Sequence, residues 1–245
     1  NNGSCGVVSP SFIKSKINKR DFKNVNILGT ETILNAALKN KVRKIIYVSS
    51  SAVFGIPKKT PILENDERKP IEAYGLSKKM MLVQSQAYRQ QFGFKCISLI
   101  TTNLYGPRDN FDPLTSHVIP GIISKIHNAK KSNSNLITLW GDGTPTRDFL
   151  YVDDAVRGIV LAAEKYDDFL PINLGTEEEI SIKQLAKLIS ELMKFDGEIT
   201  WDTSKPNGQP RRCVSNKRAE EKLNFKPEIS LKEGLRRTIE CYTAQ

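Results

Sequence analysis

The chain has 245 residues and 39% of them are hydrophobic, which is enough for one large domain or two small ones. No apolar run reaches the length of about 18 residues that a membrane-spanning helix needs, and the opening residues lack the basic start and long apolar stretch of a signal peptide. The formal net charge of +10 allows nucleic-acid binding, but the lysines are scattered and no nucleic-acid-binding motif accompanies them. A solvated lysine-rich surface, or contacts to an anionic substrate such as a diphosphate, explains the charge better.

The cysteines are few and widely separated along the chain: Cys5, Cys96, Cys213 and Cys241. Their spacing matches no metal-binding motif. A disulfide framework is typical of small secreted domains and not of a chain of this length. We therefore expect a reducing, cytoplasmic setting.

Helical and strand-like patterns alternate in the first part of the chain. Apolar residues recur at helical spacing over residues 22–40 and again over 73–92, which predicts a helix in each range. Short apolar runs rich in β-branched residues predict buried strands over 43–51 and 95–106. Helix, short connection and buried strand in this order are typical of a parallel α/β sheet.

The same alternation continues to the end of the chain. Helices are predicted over 117–131, 152–166, 181–194 and 230–242, and short strands near 136–143 and 171–175. Ser181 and Ser230 begin the last two helices, where a serine hydroxyl is a good N-cap. The whole pattern predicts an α/β fold of the doubly wound, Rossmann type.

One element of such a fold is missing from the sequence. A glycine-rich loop, G-x-G-x-x-G or G-x-x-G-x-x-G, normally follows the first strand and binds the phosphates of a dinucleotide cofactor. No such loop precedes the helix predicted over 22–40, and no glycine cluster elsewhere replaces it. We therefore expect this sequence to be the C-terminal portion of a longer protein, lacking about 60–80 residues or roughly two βαβ units.

A tyrosine and a lysine four residues apart, Tyr74 and Lys78, follow a serine cluster at the end of a predicted strand. The spacing places both side chains on one face of a helix. A nearby ammonium stabilises a phenolate, so we expect Lys78 to lower the pKa of Tyr74 and let it exchange a proton with a carbonyl or alcohol oxygen. The pair alone also fits an ordinary surface helix. The serines Ser49–Ser51, at the strand end where parallel sheets bind ligands, favour a hydride-transfer centre.

Several sequence blocks resemble the extended short-chain dehydrogenase/reductases that modify nucleotide sugars, the NAD-dependent epimerase/dehydratase family. The matching blocks are "NILGT" (26–30), "VSSSAVFG" (48–55), "YGLSK" (74–78), "TTNLYGPRDNF" (101–111) and "RDFLYVDDAVRGI" (147–159). Three further blocks are most similar to the GDP-L-fucose synthase subgroup of epimerase-reductases: "NLYGPRDNFDPLTSHVIPGII" (103–123), "LWGDGTPTRDF" (139–149) and "DTSKPNGQPRR" (202–212). The resemblance extends from about residue 20 to the end of the chain.

The resemblance implies roles for individual side chains. Ser50, Tyr74 and Lys78 would form the reductase triad, with Lys78 also bonding the ribose of an NADP or NAD cofactor. His117 would be the acid of the epimerisation steps, a task that suits a side chain titrating near neutral pH. The other cofactor contacts would be Val48, Ser49, Ser51, Thr101, Asn103 and Leu104. The nucleotide-sugar contacts would be Asn103, Val118, Lys125, Trp140, Arg147 and Arg212, with the cations on the diphosphate.

The sequence departs from the pattern of this subgroup at a few positions. Lys125 stands where arginine is expected, which keeps the charge but loses bidentate contact with a phosphate. Ala52 stands where the subgroup has a cysteine that shares the epimerisation, and alanine cannot carry a proton. The triad is intact, so the resemblance leaves two enzymes open: a reductase of a 4-keto sugar, and a simple 4-epimerase, which "SSSAVFG" (49–55) also resembles. Since the glycine loop is missing, a catalytically inactive nucleotide-sugar-binding protein is a further alternative.

The resemblance also implies a division of the chain into two domains and a partner. Residues 1–106 and 149–175 would form the cofactor domain, and residues 107–148 and 176–245 the smaller nucleotide-sugar domain. The helices at about 22–40 and 72–92 would pair with a second copy of the chain in a homodimer. We expect neither a nucleic acid nor a membrane as partner.

Overall fold

A parallel four-stranded sheet carries the strand ends on which the predicted site depends. The computed structural model describes residues 5–8, 22–113 and 115–244; the other residues of the two predicted domains, 1–4, 9–21, 114 and 245, lie outside the described residues. The strands follow the order β1-β2-β3-β7 and all pair in parallel, with bounds Cys5–Val8 (β1), Lys44–Ser50 (β2), Cys96–Thr101 (β3) and Ile172–Leu174 (β7). This arrangement confirms the predicted α/β fold with a parallel, Rossmann-like sheet.

Helices pack against this sheet because its inner strands are apolar on both faces. Every residue of β3 is buried, and so is β2 apart from its last residue. The helices around the sheet are Gly29–Lys39 (α1), Ala73–Phe92 (α2), Val152–Lys165 (α4) and Lys217–Leu223 (α6). Helix α2 ends at Gly93, whose φ of 63° is the left-handed conformation that glycine readily adopts after a helix.

The helix predicted over 22–40 starts as a different kind of helix. Residues Phe22–Leu28 form a π-helix, and α1 begins only at Gly29. The π-helix places Asn26 against α2, where its side-chain amide donates to the Ser77 hydroxyl at 2.8 Å. That hydroxyl donates to the carbonyl of Tyr74, also at 2.8 Å. The π-helix is therefore bonded to the part of α2 that carries the predicted tyrosine and lysine.

The strand predicted over 95–106 is in fact two strands that belong to different sheets. One residue after β3 the chain starts β4 (Asn103–Tyr105), which pairs in parallel with β6 (Thr146–Tyr151). The Thr102 hydroxyl, between β3 and β4, donates to the carbonyl of Asp148 in β6 at 2.8 Å. The prediction of one strand was wrong because a break of a single residue inside an apolar run leaves no mark on the hydrophobic pattern.

A second layer of structure is built around β6. It also pairs in parallel with β10 (Arg211–Arg212) and antiparallel with β8 (Glu179–Ser181), while β5 (Leu136–Trp140) and β9 (Glu198–Asp202) form a separate parallel pair. Helices α3 (Val118–Lys131), α5 (Ile182–Leu192) and α7 (Leu231–Thr243) surround these strands. Their shared core includes Ile123, Leu185 and Leu235. Ser181 and Ser230 cap α5 and α7 as predicted, each accepting a backbone N–H bond.

Two general expectations concern thiols and membranes. Cys96, Cys213 and Cys241 are free thiols, and the first two are buried; the side chain of Cys5 lies outside the described residues. Among the helices in the described ranges, none combines the length and the hydrophobicity that crossing a bilayer requires.

Candidate active site

The carboxyl ends of β2 and β3 lie side by side and carry polar side chains. Ser50 is the register partner of Thr101. The Thr101 hydroxyl donates to the carbonyl of Ser49 at 3.2 Å. The Ser49 hydroxyl oxygen is buried and has no hydrogen-bond partner among the described residues. The predicted serine cluster therefore lies at the sheet edge where parallel α/β folds bind ligands.

A tight turn follows Ser50 and packs against the start of α2. Residues Ser51–Phe54 form a buried 3₁₀ turn, which Ser50 caps by accepting the Ala52 N–H at 3.3 Å. A Cβ atom added to Gly75 would lie only 2.5 Å from the carbonyl oxygen of Ala52. Glycine at this position therefore allows the serine turn and the tyrosine helix to approach closely.

Tyr74 and Lys78 lie one turn apart near the start of α2, as the spacing predicted. The Tyr74 side chain is half-buried and hydrogen-bonds Ser50. Lys78 is 2% exposed; its Nζ donates to the carbonyl of Val48 at 3.1 Å and lies 5.8 Å from the centre of the Tyr74 ring. The structure thus brings the predicted triad together at the end of β2.

Burial controls the protonation of this triad. Desolvation raises the pKa of the Tyr74 phenol, whereas the bond to Ser50 and the charge of Arg212 lower it and the charge of Glu72 raises it. Burial also lowers the pKa of Lys78 to about 8. The expected lowering of the Tyr74 pKa by Lys78 is therefore not found, because desolvation disfavours both the phenolate and the ammonium.

Two arginines are register partners on neighbouring strands, and one of them, Arg212, acts electrostatically on Tyr74. Arg147 on β6 pairs with Arg212 on β10, and both are half-buried. Burial, followed by repulsion from Arg212, lowers the pKa of Arg147 to about 10. Burial also lowers the pKa of Arg212, while Glu72 and Tyr74 act against this. Two adjacent desolvated guanidinium groups fit a multiply charged anion such as a diphosphate.

His117 occupies the N-cap position of α3 and is exposed. Its charge acts on Asp109. Burial raises the pKa of that carboxyl, and the charge of His117 lowers it. The loop between the two is internally bonded, for example from the Asn110 amide to the Thr115 hydroxyl at 2.7 Å. A histidine beside a carboxylate suits acid–base work, and its catalytic role stays a prediction.

Lys125 on α3 is bonded to β5, the strand that ends with Trp140. The Lys125 ammonium donates to the carbonyl of Thr138 at 2.5 Å, and burial lowers its pKa. The Trp140 side chain, two residues further along β5, is 67% exposed, and Lys205 Nζ lies 5.9 Å from its ring centre. An exposed indole with an ammonium group near its ring offers a flat surface on which a base can stack.

The remaining predicted contacts have structural partners of their own. The Asn103 amide donates to the carbonyl of Asp148 at 2.9 Å, and Leu104 packs against the core of the four-stranded sheet. Val118 packs against the core beneath α3, and Ser51 is buried in the 3₁₀ turn. These contacts leave their predicted binding roles untested.

Sequence reasoning missed Glu72, which lies at the N-cap position of α2. Its charge acts on both Tyr74 and Arg212. The available signal was an acidic residue two positions before the tyrosine, at a helix start where negative charge is favoured.

The strand-end surface suits the nicotinamide and ribose part of a dinucleotide cofactor. The Ser49 hydroxyl is buried without a partner among the described residues, and the desolvated Lys78 ammonium bonds the carbonyl of Val48, the preceding residue of β2. A buried polar group without a hydrogen-bond partner costs free energy, and a ligand that supplies the partner removes this cost. In the ranges that the structure describes, no group of His, Cys, Asp and Glu is arranged to hold a metal ion.

Known proteins that are similar to this chain in sequence or in fold act on nucleotide sugars by their names. The model of the NAD dependent epimerase/dehydratase family matches residues 10–175. The chain is 39% identical over 228 residues to a probable GDP-L-fucose synthase 1 of Oryza sativa subsp. japonica, a match that covers 91% of this chain and 69% of that protein. It is also similar to a crystal structure of UDP-glucose 4-epimerase from Thermotoga maritima, with a TM-score of 0.85, 30% identity, and coverage of 92% of this chain and 71% of the other. For a GDP-L-fucose synthetase from Naegleria fowleri bound to NADP, the TM-score is 0.84 at 27% identity, with 98% and 76% covered.

These likenesses confirm the resemblance that the sequence blocks indicated. The family model covers more than half of the chain, and the rice relative matches over more than two thirds of its own length. The predicted class of enzyme and cofactor, an NAD(P)-dependent enzyme of the extended short-chain dehydrogenase/reductase type, is confirmed with them. The chain belongs to the NAD dependent epimerase/dehydratase family.

Proposed function

We propose that this protein transfers a hydride at C4 of a nucleotide-diphosphate hexose, in the manner of the GDP-L-fucose synthases. The observation that carries the proposal is the meeting of Ser50, Tyr74 and Lys78 at the end of β2. This site combines a proton donor, a hydroxyl and a desolvated cation. Relatives named GDP-L-fucose synthases, at up to 39% identity, favour a GDP-sugar as substrate.

In this reaction Tyr74 exchanges a proton with the C4 oxygen. Burial keeps the phenol protonated, so it can donate to a carbonyl oxygen that is gaining negative charge. The Ser50 hydroxyl holds the same oxygen, and Lys78 stabilises the phenolate that forms. The nicotinamide cofactor, when bound, supplies or accepts the hydride. We assign its binding to Val48, Ser49, Ser51, Lys78, Thr101, Asn103 and Leu104.

The substrate is held by cations and by a flat aromatic surface. Arg147 and Arg212 bind the diphosphate, because they are adjacent and desolvated and Arg212 acts on Tyr74. Trp140 stacks on the nucleotide, and Lys125 adds a charge beside it. Asn103 and Val118 complete the assigned substrate contacts.

Epimerisation needs two acid–base groups, and this site provides one of them. His117, with Asp109 in electrostatic reach, is the assigned acid. The neighbouring position that would carry a second acid–base group is Ala52, which has none. We therefore propose reduction of a 4-keto sugar as the principal activity and expect slow or absent exchange at the carbons beside the keto group.

The domain division, the oligomeric state and the location are proposals as well. Residues 1–106 and 149–175 are assigned to the cofactor domain, and 107–148 and 176–245 to the substrate domain, although α6 packs on the four-stranded sheet through Ala219 and Leu223. A homodimer is supported by apolar side chains exposed on the π-helix, α1 and α2: Val25, Leu28, Ile33, Leu76, Met80, Val83 and Phe92. A cytoplasmic location stays a prediction.

The test uses the protein purified from its source, with its length established by intact mass. We expect it to bind NADPH or NADH and to oxidise the cofactor when GDP-4-keto-6-deoxymannose is added, with the product identified by NMR. Tyr74→Phe should abolish turnover. Tyr242→Phe on α7, which alters only a hydroxyl bonded to Ser124 of α3, should keep it. A protein that binds neither cofactor, or that turns over equally well with phenylalanine at position 74, would contradict the proposal.

The same assay separates the alternatives. A simple 4-epimerase would interconvert two nucleotide sugars without net change in the absorbance of the cofactor. A catalytically inactive binding protein would bind GDP-sugars with measurable heat and convert none of them.

A further inference from the structure

A loop between β2 and α2 is hydrogen-bonded to the segment that follows Arg212. We call residues 61–64 of this loop the strap. The Ile62 N–H donates to the carbonyl of Cys213 at 2.9 Å, and the Ser215 N–H donates to the carbonyl of Ile62 at 2.8 Å. Ile62 and Val214 thereby form an isolated parallel bridge, two residues beyond Arg212.

Asn173, in the middle of β7, holds the strap from the sheet side. Its side-chain amide donates to the carbonyl of Ile62 at 2.9 Å, and its backbone N–H donates to Oε1 of Glu64, also at 2.9 Å. Asn173 is completely buried, Ile62 is 1% exposed and Glu64 is 8% exposed. Because Asn173 bonds both Ile62 and Glu64, it fixes the position and the direction of the strap. Buried hydrogen bonds of this kind are costly to lose.

The strap packs against the serine turn and α2 on one side and against the segment that follows Arg212 on the other. Ile62 and Val214 belong to one buried cluster with Phe54 of the serine turn and Met81 of α2. On the sheet side, Val214 packs so closely on Gly175 that a Cβ there would lie 2.6 Å from its side chain. The strap therefore lies between the turn that begins at Ser51 and the segment of Arg212.

Arg212 depends on this connection because its own strand is very short. Strand β10 consists of Arg211 and Arg212 alone, and each has one register partner on β6. A two-residue ladder offers little resistance to sliding. The guanidinium is desolvated and acts electrostatically on Tyr74, so a small shift of its backbone would change a contact in which distance matters strongly.

We propose that Asn173 is a positioning residue for the substrate diphosphate: through the strap, it holds Arg212 beside Arg147 and Tyr74. This inference rests on the proposed function, because it takes Arg212 as a diphosphate ligand. Asn173 itself touches neither substrate nor reacting atoms in this scheme. Its effect must therefore pass through Arg212, and this makes it separable from a general role in folding.

A double-mutant cycle on GDP binding tests the inference. The dissociation constant of GDP is measured by calorimetry for the full-length protein and for Arg212→Ala, Asn173→Ala and the double variant, each checked for folding by its thermal midpoint. We expect Asn173→Ala to raise the dissociation constant about tenfold, equivalent to about 1.4 kcal/mol, and the double variant to bind no more weakly than Arg212→Ala. Thr238→Val, which removes a buried hydroxyl from α7, should leave GDP binding within about twofold as the matched control.

The outcomes distinguish this inference from the proposed function. If the wild type does not bind GDP, or if Arg212→Ala binds it as well as the wild type, the substrate assignment fails and the inference fails with it. If Arg212→Ala weakens binding but Asn173→Ala does not, or if the two effects add, only the role of Asn173 is refuted. Should Asn173→Ala not fold, Glu64→Ala and Glu64→Gln replace it. The glutamine retains the acceptor for the Asn173 N–H, so only the alanine should weaken GDP binding; equal binding by both would overturn the inference.

Discussion

Replacement of Lys78 by methionine is expected to inactivate the protein and to make it more stable. Lys78 is 2% exposed, and the ordinary pKa of its ammonium, 10.5, falls to about 8 in the folded protein. Because each pKa unit corresponds to about 1.4 kcal/mol, burial of this charge costs about 3 kcal/mol at pH 7. Methionine removes that cost and also removes the bond to the Val48 carbonyl, worth about 1 kcal/mol. The free energy of unfolding of Lys78→Met should therefore exceed that of the wild type by about 2 kcal/mol at pH 7.

The pH dependence of this difference identifies its cause. Between pH 8 and pH 10.5 the unfolded chain binds a proton that the folded protein has released, so the stability of the wild type rises with pH in this window. Lys78→Met lacks this titration. Its advantage should consequently shrink by about 2 kcal/mol between about pH 7 and pH 9.5.

Urea unfolding of both proteins at these two pH values measures the effect. Lys58→Met serves as the control, because the Lys58 side chain is 88% exposed and its replacement should change stability by no more than about 0.5 kcal/mol. An unchanged or lower stability of Lys78→Met at pH 7 would refute the assigned cost of burial. A stability advantage that stays constant with pH would show that packing, and not the charge, is responsible.

Three further substitutions test the geometry of the site and the fold around it. Ser50→Ala removes the bond to the catalytic phenol and should lower kcat for 4-keto-sugar reduction about 10- to 100-fold, measured by cofactor oxidation; a change below about twofold would contradict it. Gly75→Ala should lower the free energy of unfolding by about 1–3 kcal/mol in urea, because the new Cβ would meet the Ala52 carbonyl, and an unchanged value would show that the turn can move. Asp154→Ala removes a buried carboxylate that accepts backbone N–H bonds from Glu228 and Ile229, so urea unfolding should show a loss of about 3 kcal/mol. The exposed neighbour Asp153→Ala should lose only about 0.5 kcal/mol.

Much of the fold follows from local pattern, and the exceptions have local causes. The helices around Ser77 and Ile123 and the buried strands around Val48 and Leu99 are where hydrophobic periodicity predicts them. Periodicity failed where the chain changes partners without changing its composition, as between β3 and β4. It also gave no sign of the π-helix at Phe22–Leu28, because an extra residue per turn is too small a shift to detect in a short segment.

The strap shows a second limit of sequence reasoning. Ile62 lies in a loop rich in proline and lysine, where nothing predicts a completely buried residue. Its partners, Asn173 and Val214, are distant in sequence, and the bonds between them exist only because the sheet brings the three together. Long-range pairings of single residues carry no periodic signal.

The sequence also could not predict the pKa values at the triad, because they depend on how deeply each group is buried. The four-residue spacing of Tyr74 and Lys78 shows that an ammonium lies near a phenol, which by itself lowers the pKa of the phenol. Whether that happens depends on how far each group is desolvated, and here desolvation raises the pKa of Tyr74 while it takes the pKa of Lys78 down to about 8. The cation whose charge lowers the pKa of Tyr74 is Arg212. This arginine reaches the site from the other end of the chain, on a two-residue strand held by the strap, and no spacing within the Tyr-Lys motif could have indicated it.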